Sequence, residues 1–299
     1  MNEHSKKVFN RNVISSTHIN LFFGAGVNGK SLPQLDKFKA TLSKIEELGG
    51  DITKGLENGI DTIADEDKRI QIKNVFIKEF KSFYNNVLED GNLKDFDSLK
   101  NIESLLRKIY SVVHEAQNRN PSMKQINIYT LNYDDIVERI LSRLGYFYNA
   151  ISASNIEAKA ALMDVIGYDY KTKKYIPSFV VSKLHGDIDK PIIPGKAKYR
   201  DMLNEDYFEI AFNMKEQLCK PYSILIVIGY SGRDQHINKI LLDCLNTGLT
   251  IYWFKYGAED SIPFSDCPQI IIREQDDYKT LIDTTKICYE DLEYAWEET

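Results

Sequence analysis

Two short apolar runs, each ending in a glycine turn, constrain this chain more than any other feature. Residues 19–23 (Ile-Asn-Leu-Phe-Phe) run into Gly24-Ala25-Gly26-Val27-Asn28-Gly29, and residues 223–228 run into Gly229-Tyr230-Ser231-Gly232-Arg233-Asp234. Runs this short and this apolar read as strands buried on both faces, the pattern of a parallel sheet whose carboxyl ends open onto the turns. A helix is expected after the second turn, over residues 234–245.

Between the two runs the periodicity changes. Leu35, Phe38, Leu42 and Ile45, then Ile70, Val75, Phe76, Phe80, Phe83 and Val87, then Phe96, Leu99, Ile102, Leu105, Leu106, Ile109, Val112 and Val113 recur at helical spacing. Loop signals stand at Gly49-Gly50 and Asp90-Gly91-Asn92. Strand patterns return at 125–129, with a helix over 133–144 and a further strand at 146–151. Residues 165–170 and 175–181 read as a hairpin around Lys171-Thr172-Lys173, whose second arm delivers His185. Strands at 249–254 and 269–272 and a closing helix at 278–289 complete the chain. Strands alternating with helices give an α/β fold. The expectation is one domain over 1–299, a Rossmann-like parallel sheet with a large, mainly helical insertion at 31–120 after the first strand.

The 299 residues carry a net charge of -6, and Lys and Arg are not gathered at any of the turns. A general nucleic-acid surface is therefore not expected, because phosphate-backbone binding needs clustered cations. The four cysteines, Cys219, Cys244, Cys267 and Cys288, are widely spaced and form no C-x-x-C pair, so neither a zinc ribbon nor a disulfide framework is expected, and no metal is assigned. Polar and basic residues follow Met1 and no apolar run approaches membrane-spanning length, which reads as a cytoplasmic chain with no membrane partner.

Four motifs carry the chemistry, and each has a plain structural alternative. The Gly24–Gly29 spacing fits G-x-G-x-x-G, where glycines admit a pyrophosphate and a following helix points its N-terminus at it; the alternative is an ordinary glycine turn. The acidic residue that a dehydrogenase needs at the end of a second strand is missing, since Glu46 and Glu47 fall in a helical stretch. Thr130-Leu131-Asn132-Tyr133-Asp134 places Asn132 and Asp134 at a strand's carboxyl edge, where Asn132 is either a ligand contact or a helix N-cap and Asp134 either a ligand contact or a first-turn acid. His185, in Leu184-His185-Gly186, is either a packed histidine or a catalyst beside space cleared by Gly186. Ser231 and Asp234 are either turn and cap residues or contacts to a second phosphate or ribose. No other histidine sits at a comparable strand end.

The ordered set resembles the sirtuin superfamily, specifically the sirtuin-like NAD-consuming domains of bacterial anti-phage defence systems. The resemblance runs from Ile19 to about Phe254. It implies that Gly24, Ala25, Gly26 and Asn28 belong to the turn that cradles the NAD pyrophosphate, that Asn132 lies near the nicotinamide ribose, and that Asp134 addresses the nicotinamide amide. His185 is then the catalytic base, and Gly229, Tyr230, Ser231 and Asp234 line the adenosine half. Two departures set the subtype. The paired C-x-x-C motifs of protein deacylases are missing, and where deacylases carry Pro-Asp-Phe-Arg this chain reads Leu32-Pro33-Gln34-Leu35-Asp36-Lys37-Phe38. The expected activity is hydrolysis of NAD to nicotinamide and ADP-ribose by a toxic effector of abortive infection. A separate sensor protein or assembly into an oligomer would hold it inactive until triggered, the acidic, aromatic segment 289–299 being one candidate docking element. The competing readings are a non-catalytic NAD or ADP-ribose sensor and a zinc-free deacylase or ADP-ribosyltransferase.

Overall fold

The computed structural model describes residues 8–115, 119, 123–152, 156–159, 167–169, 174–192, 205–257, 262–275 and 282–297. Eight strands form the main sheet: β1 (His18–Phe23), β2 (Ile126–Thr130), β3 (Tyr148–Ile151), β4 (Ile156–Lys159), β5 (Phe179–Lys183), β6 (Ser223–Ile228), β7 (Thr250–Phe254) and β8 (Ile270–Arg273). Their spatial order is β8-β7-β6-β1-β2-β5-β3-β4, with every pairing parallel except that of edge strand β4 with β3. This is the Rossmann-like α/β sheet that the apolar runs predict. Every residue of β6 and all of β1 but His18 are buried, which is why these two strands read as apolar runs.

Helices α1 (Arg11–Ser16), α2 (Lys39–Glu47), α3 (Leu56–Asp61), α4 (Glu66–Asn85), α5 (Asp97–Glu115), α6 (Ile136–Leu144), α7 (Glu205–Leu218), α8 (Gln235–Leu245) and α9 (Thr284–Glu297) complete the fold. Alternation along the strands divides the core in two. Leu21 and Phe23 of β1 face one apolar cluster with residues of α2 to α6 and α9, whereas Phe22 faces the other with α7 and α8. The helices between β1 and β2 thus pack their apolar stripes onto one sheet face, with Phe38 stacked on Phe76. The Asp90-Gly91 signal becomes a tight two-stranded turn between Leu88–Glu89 and Asn92–Leu93.

Two local expectations are corrected. The hairpin exists, with Gly167–Asp169 antiparallel to Lys174–Ile176, but its arm does not deliver His185. Pro177, which has no N–H to give to a ladder, ends that arm, and the next strand, β5, joins the main sheet between β2 and β3. The turn at Lys171-Thr172-Lys173 lies outside the described residues, as do residues 1–7 and the last two of the 289–299 segment. The second correction follows Gly24: no α-helix starts there. A single 3₁₀ turn (Ala25–Asn28) ends at Gly29 (φ 54°), and the next α-helix begins only at Lys39. Among the described residues no helix is long and apolar enough to cross a membrane.

Candidate active site

The sheet register brings the motifs to one edge. Phe23 pairs with both Thr130 and Ile228, and Thr130 pairs with Lys183, so the turns that follow β1, β2, β5 and β6 leave the sheet at one level. The chain passes outward from β1 to β2 and β5, then returns to β6 on the other flank. The crevice beyond β1 and β6 is therefore the topological switch point at which open α/β sheets bind ligands.

At that point the two glycine turns are packed against each other. The amide of Gly24 donates to the Ile228 carbonyl (2.9 Å) and that of Gly26 to the Gly229 carbonyl (2.9 Å). A Cβ on Gly24 would lie 2.3 Å from the Gly229 oxygen, and one on Gly229, whose φ is +68°, would lie 2.3 Å from the Val27 nitrogen. Backbone against backbone thus requires Gly24 and Gly229, independently of any ligand.

The segment after β2 is anchored from below. Asn132 is half-buried and does not cap a helix, because α6 starts at Ile136; its main-chain N–H donates to Thr130 Oγ1 (3.0 Å). The capping alternative for Asn132 is thereby removed. Asp134 is buried, and both carboxylate oxygens are engaged: Oδ2 accepts from Asn28 Nδ2 (2.8 Å) and Oδ1 from the Ile136 amide (3.1 Å). The Asn28–Asp134 bond ties the β1 turn to the β2 turn. Beneath it, Lys183 Nζ donates to the Asp134 carbonyl (2.6 Å) and pairs with Glu138 (2.9 Å), both side chains being 6% exposed. Burial raises the Asp134 and Glu138 carboxyls above their ordinary range against the pull of Lys183. Burial draws the Lys183 ammonium down, but Glu138 and Asp134 outweigh it and hold the lysine firmly charged.

His185 follows β5 and is buried, its carbonyl accepting from the Ile192 amide (2.8 Å). Gly186 does not clear ligand space as expected. Its φ of +78° and the Lys190 carbonyl, 2.2 Å from where a Cβ would stand, show that the return turn itself demands glycine. His236, in the first turn of α8, lies across from His185 with ring centroids 5.6 Å apart. Asp234 occupies the N-cap position of α8 but makes no side-chain capping bond, so the capping alternative does not hold for its carboxylate. The ligand atoms of His185, Asp234 and His236 all lie within 4.8 Å of one another.

The rest of the second glycine turn is divided. Ser231 is exposed at the rim. Tyr230 is buried between Phe22 (4.9 Å) and Trp253 (5.5 Å), and its hydroxyl meets Asn238 Oδ1 (2.9 Å) and accepts from the Asp234 amide (3.2 Å), so this side chain holds the turn against the core.

A family model described as the SIR2-like domain matches residues 126–284. The chain belongs to the SIR2-like domain family. Solved structures similar to it include a Sir2 homologue–NAD complex, at 12% identity over 99% of this chain and 99% of that one with a TM-score of 0.44. An ADP-ribose complex of a Sir2 homologue mutant aligns at 14% identity over 99% and 97%, with a TM-score of 0.48. Sir2 bound to an acetylated peptide aligns at 14% identity over 95% and 96%, with a TM-score of 0.44. No curated protein matches the chain.

Three residues of this candidate site are not singled out by the sequence. Lys183 is a charged residue at the end of a buried strand that begins Phe179-Val180-Val181, which is the signal of a buried partner, and Glu138 lies four residues after Asp134 on the inward face of α6. His236 stands two residues after Asp234, and only the fold sets it against His185.

Proposed function

We propose that the chain hydrolyses NAD at its nicotinamide glycosidic bond, giving nicotinamide and ADP-ribose. The observation that carries this reading is the meeting of four turns at the β1/β6 switch point of a SIR2-like sheet, with the His185 imidazole and Asn132 on the same edge. The C1′–N bond breaks and the electron pair leaves with nicotinamide, which departs neutral because the ring begins as a cation. Water adds to the oxocarbenium-like anomeric carbon and gives its proton to His185, the general base. Asn132 positions the ribose and the attacking water. Gly24, Ala25, Gly26 and Asn28, with Gly229, Tyr230, Ser231 and Asp234, form the diphosphate and adenosine side, where the negative charge falls to turn amides other than those of Gly24, Gly26 and Asp234, which donate within the protein. In this reading Asp134 acts on the carboxamide after exchanging its bond with Asn28, so substrate entry is coupled to that internal contact.

The resemblance to defence-type sirtuin-like domains supports a role as a toxic effector against phage, restrained until a partner protein or oligomer assembly releases it. The experiment is to follow nicotinamide release from NAD by the purified chain, alone and with any co-purifying protein, beside His185→Ala. Release that depends on His185 supports the hydrolase. Binding of NAD without release under every condition would replace it with a sensor.

A further inference from the structure

We propose that His185, Asp234 and His236 form a binding site for a borderline divalent transition metal, with Zn²⁺ the best-matched ion, and that its occupancy switches the site off. Two imidazoles and one carboxylate converge here from two separate elements: His185 from the end of β5, and Asp234 and His236 from the start of α8. Three protein ligands of this kind with a fourth position open make a zinc set, and the mixed N/O donors disfavour Mg²⁺ and Ca²⁺. Zn–N and Zn–O bonds of about 2.0–2.2 Å place the ligand atoms of a tetrahedral site roughly 3.4 Å apart. From separations within 4.8 Å, the required closure is at most about 1.4 Å, a distance that rotamer adjustment of the partly exposed Asp234 and His236 supplies.

Asp234 adds a second argument. At an N-cap its carboxylate would ordinarily bond to the first amides of α8, yet it makes no such bond and belongs instead to the group around His185. The consequence for activity rests on the proposed NAD hydrolysis. A metal on His185 takes the imidazole lone pair that would accept the proton from water, so metal occupancy and general-base catalysis exclude each other.

The test uses the whole chain after treatment with a chelator and its removal. Equilibrium dialysis against ZnCl₂, and titration with CoCl₂ followed by visible absorption, read binding without any enzymatic assay. One equivalent is expected to bind with nitrogen–oxygen ligand-field bands, and His236→Ala and Asp234→Asn are each expected to weaken it by about tenfold or more. His236→Gln, which retains a polar side chain in the first turn of α8, guards against loss of the fold and should behave alike. Equal affinity in wild type and all three variants would overturn the site. So would a thiolate-to-cobalt charge-transfer band abolished by Cys219→Ser, because the Cys219 and Cys244 sulfurs, 2.9 Å apart, are the competing donors. Nicotinamide release should fall with the same midpoint as binding and return on adding EDTA. Release that is unchanged or raised at saturating Zn²⁺ would overturn the inhibitory role. If no condition yields release, the hydrolase reading has failed, and the dialysis result still decides the metal site.

Discussion

Replacing Lys183 by methionine tests the foundation of the site. Lys183 is 6% exposed, pairs with an equally buried Glu138 at 2.9 Å and donates at 2.6 Å to the Asp134 carbonyl. Removing one member of a buried pair leaves the other charge without compensation, which costs about 3–5 kcal/mol. The loss of the charge-assisted bond to the Asp134 carbonyl belongs to the same network, so the two costs do not add in full. Burial already raises the Glu138 carboxyl, and the substitution removes the main influence that lowers it. A carboxyl whose folded-state pKa lies above its unfolded value contributes stability at low pH and loses it as pH rises through the folded pKa. The deficit of Lys183→Met should therefore be full at neutral pH and shrink on acidification, as Glu138 takes up a proton. Urea unfolding followed by circular dichroism at a series of pH values measures this. Adding Glu138→Gln to Lys183→Met should recover most of the loss at neutral pH. A deficit below about 1 kcal/mol at neutral pH, or one that grows as the pH falls, would refute the reasoning.

The remaining predictions concern the edge of the sheet. His185→Ala and Asn132→Ala should each lower nicotinamide release by about two orders of magnitude or more with the circular dichroism spectrum unchanged, and near-normal turnover in either would remove the assignment. Gly24→Ala and Gly229→Ala should destabilise the fold itself, since a Cβ 2.3 Å from backbone atoms forces the turns apart; a melting midpoint equal to that of the native chain would contradict the interlocked turns. Asn28→Ala should cost about 1–3 kcal/mol by leaving Asp134 Oδ2 buried without its donor, a loss that urea titration detects and whose absence would show that water replaces the amide.

The strands were legible because those of a parallel sheet covered on both faces read as short apolar runs closed by glycine, as β1 and β6 do. The hairpin arm before Pro177 and strand β5 after it read as one segment in the sequence because both are extended and largely apolar, and only the ladder distinguishes them. The glycines were legible as turns but not as to cause. A sequence shows that glycine stands at 24 and 229, whereas the reason, one turn's backbone lying on the other's, is a contact between residues far apart in the chain. The same limit hid His236. Beside His185 it is part of the site, but in the sequence it is one polar residue in the first turn of an amphipathic helix.

The helices between β1 and β2 build one wall of the site as well as covering the sheet. Tyr133, between Asn132 and Asp134, is held edge-on against Phe76 and Phe80 of α4, while its hydroxyl donates to the Ile192 carbonyl (2.7 Å) beyond the His185 turn. Two residues on, Asp135 accepts from the Tyr84 hydroxyl at the end of α4 and pairs with Arg139 (2.9 Å). The loop that carries Asn132 is thus clamped to α4 above and to the Lys183–Glu138 pair below. Close-packed interiors transmit strain, so a displacement of α4 is expected to be passed to this loop through the Tyr133 ring. A force applied to the outer face of these helices is therefore expected to reach the loop that carries Asn132 through Tyr133 and Asp135.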